Sequence, residues 1–346
     1  MIAPGVAWDR SEALRGLACA IPGAVVAALW DVGLGCALVL GTLCVALLGV
    51  PSRRAARPRL FVGALLFAGA YALGATVVAW PVVAVVALAA LAYAAVINAS
   101  RGPLARLVPA LVVPAFALGM NHPVPAGLVL AATFLAGGLW ATIVTTFWPA
   151  PRTAPPTSPA PAAPPPMPAA NAPAATTAVA HRPTATRDPR PYAVLFALAG
   201  AMGLSIGFVV GFVHVAWSAG AALLIMRPAP DLTARRSIER VVATFLGITA
   251  AAAVMWLDPS SIGIAIVVAL ALALIVGTRT STWYLSSGGT GLVVLLMAGL
   301  SGSSAFEATY TERLVETAIG AMLALLLGVL APRLLASRVA LSPPPS

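Results

Sequence analysis

Two triplets in the second half of the chain have the residue types to hold an anion inside a membrane. Arg240, Thr244 and Gly247 stand at i, i+4 and i+7, a spacing that stacks them on one helix face, and Arg313, Thr317 and Gly320 repeat it. A guanidinium presents a planar fork that takes a carboxylate bidentately, and a hydroxyl adds a donor. The small residue lets a neighbouring helix come close, so that the polar groups face a shared interior instead of lipid. A packing lane beside a snorkelling arginine would give the same spacing, but two identical copies favour function. Each arginine has an acidic neighbour: Glu239 precedes Arg240, and Glu316 follows Arg313 by three residues. Only the second pair shares a helix face, where it could also be a neutralised structural pair. Both carboxylates are the expected carriers if transport is coupled to protons.

Two interrupted segments point to the same region. Pro109 and Pro114 break the fifth apolar segment of the first half, while Ser286, Ser287, Gly288, Gly289, Thr290 and Gly291 should loosen the fifth of the second. Unwound backbone is tolerated in a bilayer only where it faces a cavity, so paired interruptions predict a central binding site. A proline kink and a small-residue seam are the plainer alternative. Trp217 is most simply an interfacial belt residue like Trp30, Trp80 and Trp256; the sharper expectation is stacking on an aromatic substrate.

Other chemistries find no support. Cys19, Cys36 and Cys44 lie in apolar segments without ligand partners, which predicts neither metal nor disulfide, and no cofactor is implied. No phosphate-binding glycine run and no catalytic constellation is present, which argues against a nucleotide-driven pump and an enzyme. His122, His214, Asp31 and Asp258 are expected in outer turns and are assigned no role at the site.

The elements that must position these residues are membrane helices. The chain of 346 residues is 60% hydrophobic and 9% charged, with a mean hydropathy of +0.98, and its apolar runs recur from Leu14 to Leu335. Segments are expected at 14–30, 32–50, 60–79, 81–98, 106–120 and 125–148, then at 192–212, 214–226, 238–256, 260–278, 283–300 and 311–331. Most approach the roughly 20 residues needed to cross a bilayer. The opening segment reads as an uncleaved helix. The architecture predicted is all-α and polytopic, with about twelve transmembrane helices. Residues 1–148 form a first six-helix repeat and 192–335 a second. Between them 149–191 is a Pro/Ala/Thr-rich linker expected to be disordered, and 336–346 is a tail. Six helices return each half to its starting side, so the repeats should be parallel and form a pseudo-dimer.

All 20 basic residues are arginine, against 10 acidic ones. Placed on the twelve-segment plan they crowd one side, from Arg10 and Arg53 through Arg227 and Arg279 to Arg338, with Arg313 alone on the other. That bias puts both termini and the linker in the cytoplasm, argues against nucleic-acid binding, and assigns the charge to membrane orientation. On this plan Arg240 lies about a turn inside the inner face and Arg313 about a turn inside the outer face, two stations flanking a midplane site.

The second half resembles the fusaric acid resistance-like, or integral membrane bound transporter, family through Trp217, Pro228, Thr233, Arg240, Thr244 and Gly247, and again through Arg313, Glu316, Thr317 and Gly320. The first half resembles the family's opening repeat in ALRGLACAIPGAVVAAL and LVLGTLCVALLGVPSRRAARPRL. Ala243 replaces a glycine usual in the family, Glu316 stands where aspartate is common, and the copy around Arg59 and Gly63 is degenerate. Relatives include aromatic acid exporters and, further off, plant aluminium-activated malate transporters. The resemblance implies export of small, often aromatic, organic anions from a bacterial inner membrane. The expected partners are that anion and the bilayer, with a homo-oligomer left open. Three classes remain: a proton-driven exporter, a passive anion channel, and a non-transporting anchor or assembly protein.

Overall fold

The computed structural model describes residues 8–101, 108–149, 188–279, 283–299 and 303–334, without the side chains of 110, 111, 230, 231, 283–287, 297–299 and 303–307. Most of the predicted linker, all of the tail, and the side chains of Ser286 and Ser287 lie outside the described residues. Among the described residues there are helices and no strand. The helices are α1 (Arg10–Leu29), α2 (Val32–Ala46), α3 (Leu60–Val77), α4 (Pro81–Asn98), α5 (Val113–Gly119) and α6 (Val124–Phe147) in the first half. In the second they are α7 (Arg190–Val210), α8 (Trp217–Ile225), α9 (Pro230–Trp256), α10 (Ser261–Gly277), α11 (Trp283–Gly299) and α12 (Ser303–Leu325).

Local chemistry fixes the ends. Asp9 accepts from the amides of Ser11 and Glu12 to open α1, and Asp31 accepts from Leu34 at 2.7 Å to open α2, which is the capping role expected of it. Proline stands in the first turn of α4, α5, α6, α7 and α9, where its missing N–H costs nothing. Among the described residues seven helical spans are long and apolar enough to cross a membrane: Arg10–Leu29, Arg54–Val77, Pro81–Arg101, Val124–Phe147, Arg190–Val210, Leu232–Trp256 and Ala308–Leu334. Val32–Ala46 and Ser261–Gly277 are shorter and apolar. Large apolar side chains such as Leu65, Val86, Leu198 and Leu270 point outward, as they do in lipid. The protein is therefore membrane-embedded and multi-pass.

Two elements differ from expectation and one agrees. Helix α9 begins at Pro230, not near 238, because Pro230 occupies a first-turn position that tolerates it; Arg235 and Arg236 thus sit on the helix and not in a turn. The first half's fifth segment is interrupted as predicted, by a π turn over Val108–Val112 that contains Pro109, leaving α5 only seven residues long. The second half's is not: α11 runs unbroken through Gly288 and Gly289. Those glycines serve packing. A Cβ on Gly247 would lie 2.2 Å from the Gly288 carbonyl oxygen, and one on Gly289 would lie 2.5 Å from the Ile275 side chain.

The two halves pack through exchanged contacts. Helix α1 lies against α10, and α4 against α7, so the first and fourth helices of each half meet across the centre. Within the halves, α2 packs on α6 as α8 does on α12, and α3 on α5 as α9 does on α11. One buried apolar cluster joins α1 and α2 to α10 and α11; the other joins α7, α8 and α12 to α4 and α5. At the N-terminal end of α1 a sealed ion-pair cluster strengthens the exchange. Arg15, fully buried, donates to Glu12, to the Ala46 carbonyl at 2.6 Å and to Thr145 at 3.2 Å, while Arg279 just after α10 donates to the same Glu12 carboxylate at 3.0 Å. Arg57, also fully buried, donates to the carbonyls of Thr146 and Trp148 and so ends α6.

An arginine-lined cavity as the candidate functional site

A cavity of about 940 Å³ is lined by both halves. Its two contributions differ in chemistry. The second half supplies Arg227, Arg240 and Arg313 together with Thr244, Thr290, Thr309, His214 and Trp217. The first half supplies mainly apolar groups, among them Leu40, Leu43, Phe67, Tyr71, Leu130 and Phe134, with Asp31, Asn121 and His122 as polar members. Among the described residues three arginines therefore line one space with a single acidic residue, Asp31, whose Oδ1 is already engaged in capping α2.

Helix lengths explain how the arginines meet. Arg240 is ten residues from the start of α9 and Arg313 ten from the start of α12, roughly 15 Å along each helix. Both side chains line the same cavity, on helices that begin earlier than hydropathy suggested. The turn from α8 to α9 is closed by Thr233, whose hydroxyl accepts from the Arg227 amide at 3.0 Å, and Arg227 donates to the Met226 carbonyl at 2.6 Å.

Around Arg313 the structure builds a stacked polar cluster. The Trp217 indole, 4% exposed, lies flat against the His214 ring with centroids 3.8 Å apart, and the Arg313 guanidinium sits 4.4 Å from the indole centroid. Glu312 accepts from the His214 amide at 3.0 Å and pairs with its Nδ1 at 2.9 Å, fastening α12 to the α7–α8 turn. Asn121 accepts from the Ala216 amide at 3.0 Å and fastens the first half to the same turn. Trp217 is thus no belt residue, unlike Trp30, Trp80 and Trp256, which are exposed at helix ends. Neither His122 nor His214 is a solvated loop histidine. Burial, and then His214, push the pKa of His122 down to about 4. Burial also lowers that of His214, against the opposing pull of Glu312.

The remaining predicted residues fall close to this cavity or away from it. Thr317 and Glu316 are buried in α12 behind the lining. Glu316 meets no side-chain hydrogen-bond partner among the described residues and only a marginal contact from the Ser218 backbone, no ion pair joins it to Arg313 there, and Arg313 Nε is unpartnered. Gly320, one turn further on, lets α12 touch α8: a Cβ there would lie 2.6 Å from the Ser218 carbonyl oxygen. Glu239 pairs with Arg235 at 2.6 Å and not with Arg240. On α11 the cavity wall is Thr290, Gly291 and Val294, beyond Gly288 and Gly289. Residues missed from sequence were His214, Asn121 and Glu312, whose contacts span 95 or 98 positions and leave no local signal.

Residues 190–327 match the family model described as fusaric acid resistance protein-like. No curated protein and no solved structure matches the chain.

Proposed function

We propose that this chain, whose second half is a fusaric acid resistance protein-like domain, is a transporter that carries small organic anions through the arginine-lined cavity. The domain and the apolar helices are those of a membrane transporter-type protein. The observation that carries the reading to an anion is Arg313. It is 8% exposed, lines the cavity, and keeps Nε without a partner among the described residues. A buried cation in that state is costly, and a carboxylate in the cavity offsets the cost. Arg240 on the neighbouring wall supplies a second fork, with Thr244 as an added donor.

Aromatic acids are the class that the family resemblance implies, and the apolar wall of the first half suits such a body. Export needs an energy source, and Glu316, buried without a side-chain hydrogen-bond partner among the described residues, is the carboxylate we assign to carry the proton. The exchanged packing of the halves supports a pseudo-dimer of two parallel six-helix repeats with twelve crossings, in which α5 and α8 are half-helices. The arginine bias orients both termini to the cytoplasm of a bacterial inner membrane. Cysteines introduced at positions 30 and 53 should then react with an impermeant thiol reagent from opposite faces, and reaction from one face would refute that orientation.

The test is uptake of labelled benzoate by proteoliposomes. Arg240→Gln and Arg313→Gln should each slow it by about 10- to 100-fold, the worth of a charge-assisted hydrogen bond, with the protein still folded. Wild-type uptake by either variant would remove that residue from the path.

A further inference from the structure

The cationic wall accounts for an acid group and leaves open what grips the rest of the bound molecule. Three aromatic rings of the first half line the cavity as a connected set. Phe67 and Tyr71 stand one turn apart on α3, and Phe134 on α6 meets them edge to face, at 5.8 Å from Phe67 and 4.8 Å from Tyr71. Packing alone would account for two phenylalanines here. It does not account for a tyrosine.

Tyr71 is 3% exposed, and its hydroxyl makes no hydrogen bond among the described residues. Buried tyrosines ordinarily find a partner for that group, because an apolar surrounding penalises it. Yet the oxygen is not among the sealed polar atoms, so it retains accessible surface, and the open space beside the ring is the cavity that the ring lines. The nearby His122 ring, 6.1 Å away centroid to centroid, does not engage it. The backbone holds Tyr71 in place: α5 crosses α3 so closely that a Cβ on Gly119 would lie 2.0 Å from the Tyr71 carbonyl oxygen.

We propose that Tyr71 is a specificity-determining residue, whose hydroxyl donates to an acceptor on the body of the anion while Phe134 packs on its flat face. This rests on the reading of Arg240 and Arg313 as the anchor of the acid group. The site then takes planar apolar carboxylates and prefers those bearing a hydrogen-bond acceptor away from the carboxylate. The first half, degenerate in its own arginine motif, contributes selectivity, and the second half contributes charge.

Calorimetric binding of two acids of nearly equal shape, 4-acetylbenzoate and 4-isopropylbenzoate, to the purified full-length protein tests this. Wild type should bind the acetyl compound about fivefold tighter, as one neutral hydrogen bond would give. Tyr71→Phe should bind both alike, Phe134→Ala should weaken both, and Arg240→Gln should lose both. A Tyr71→Phe protein that keeps the wild-type preference overturns the inference, and loss of both acids in Arg240→Gln would then leave the anchor standing. Equal binding of both acids by wild type and Arg240→Gln would overturn the anchor and the inference with it.

Discussion

Arg313 concentrates the chemistry of the site, because it lines the cavity, lies on Trp217, and stands a turn from the buried carboxylate of Glu316. The spacing of Arg240 and Arg313 was legible from sequence because a helix repeats its face in register. The stack of His214 on Trp217 was not. Its two residues are held by Glu312 and Arg313, almost a hundred positions away, and a lone tryptophan near a helix end has the same sequence appearance whether it meets lipid or an arginine. A prediction about stability follows from His122. Its pKa falls from 6.5 to about 4 on folding, so between those values the unfolded chain binds more protons than the folded one. Stability is therefore full above pH 6.5 and declines as the pH drops towards 4. Thermal melts in detergent should show that decline in wild type and a flatter profile in His122→Asn. An identical profile in the variant would assign the slope elsewhere.

At the scale of helices, glycines decide which elements come close. Sequence could not separate a loosened helix from a tightly packed one at Gly288 and Gly289, since small residues permit both. The structure places them in a helix crossing, with Gly247 against the Gly288 backbone. Gly247→Ala should force α9 from α11 at a cost of about 1–3 kcal/mol, read as a lower melting temperature. Gly69→Ala, where a new Cβ meets nothing within 4 Å, should leave it unchanged or slightly raised. Equal effects from the two would mean that the α9–α11 contact is not tight. The early start of α9 was missed for a related reason: two prolines and a run of charge resemble a turn, but Pro230 needs no amide partner in a first turn.

At the scale of the molecule, the all-helical, multi-pass character was readable from hydropathy, and the crossed packing of α1 on α10 and α4 on α7 was not. Contacts between halves depend on shape, which a hydropathy profile does not carry. That crossing puts an apolar wall and a cationic wall around one cavity, and it leaves Glu316 buried a turn from Arg313. The central claim is that the cavity moves organic anions at the expense of a proton gradient. Uptake of labelled benzoate into proteoliposomes, with and without an imposed proton gradient and with Glu316→Gln alongside, tests it most directly. The account predicts accumulation above equilibrium that requires the gradient in wild type and falls to simple equilibration in Glu316→Gln. Equilibration alone in wild type, with or without the gradient, would contradict it and identify a passive anion channel.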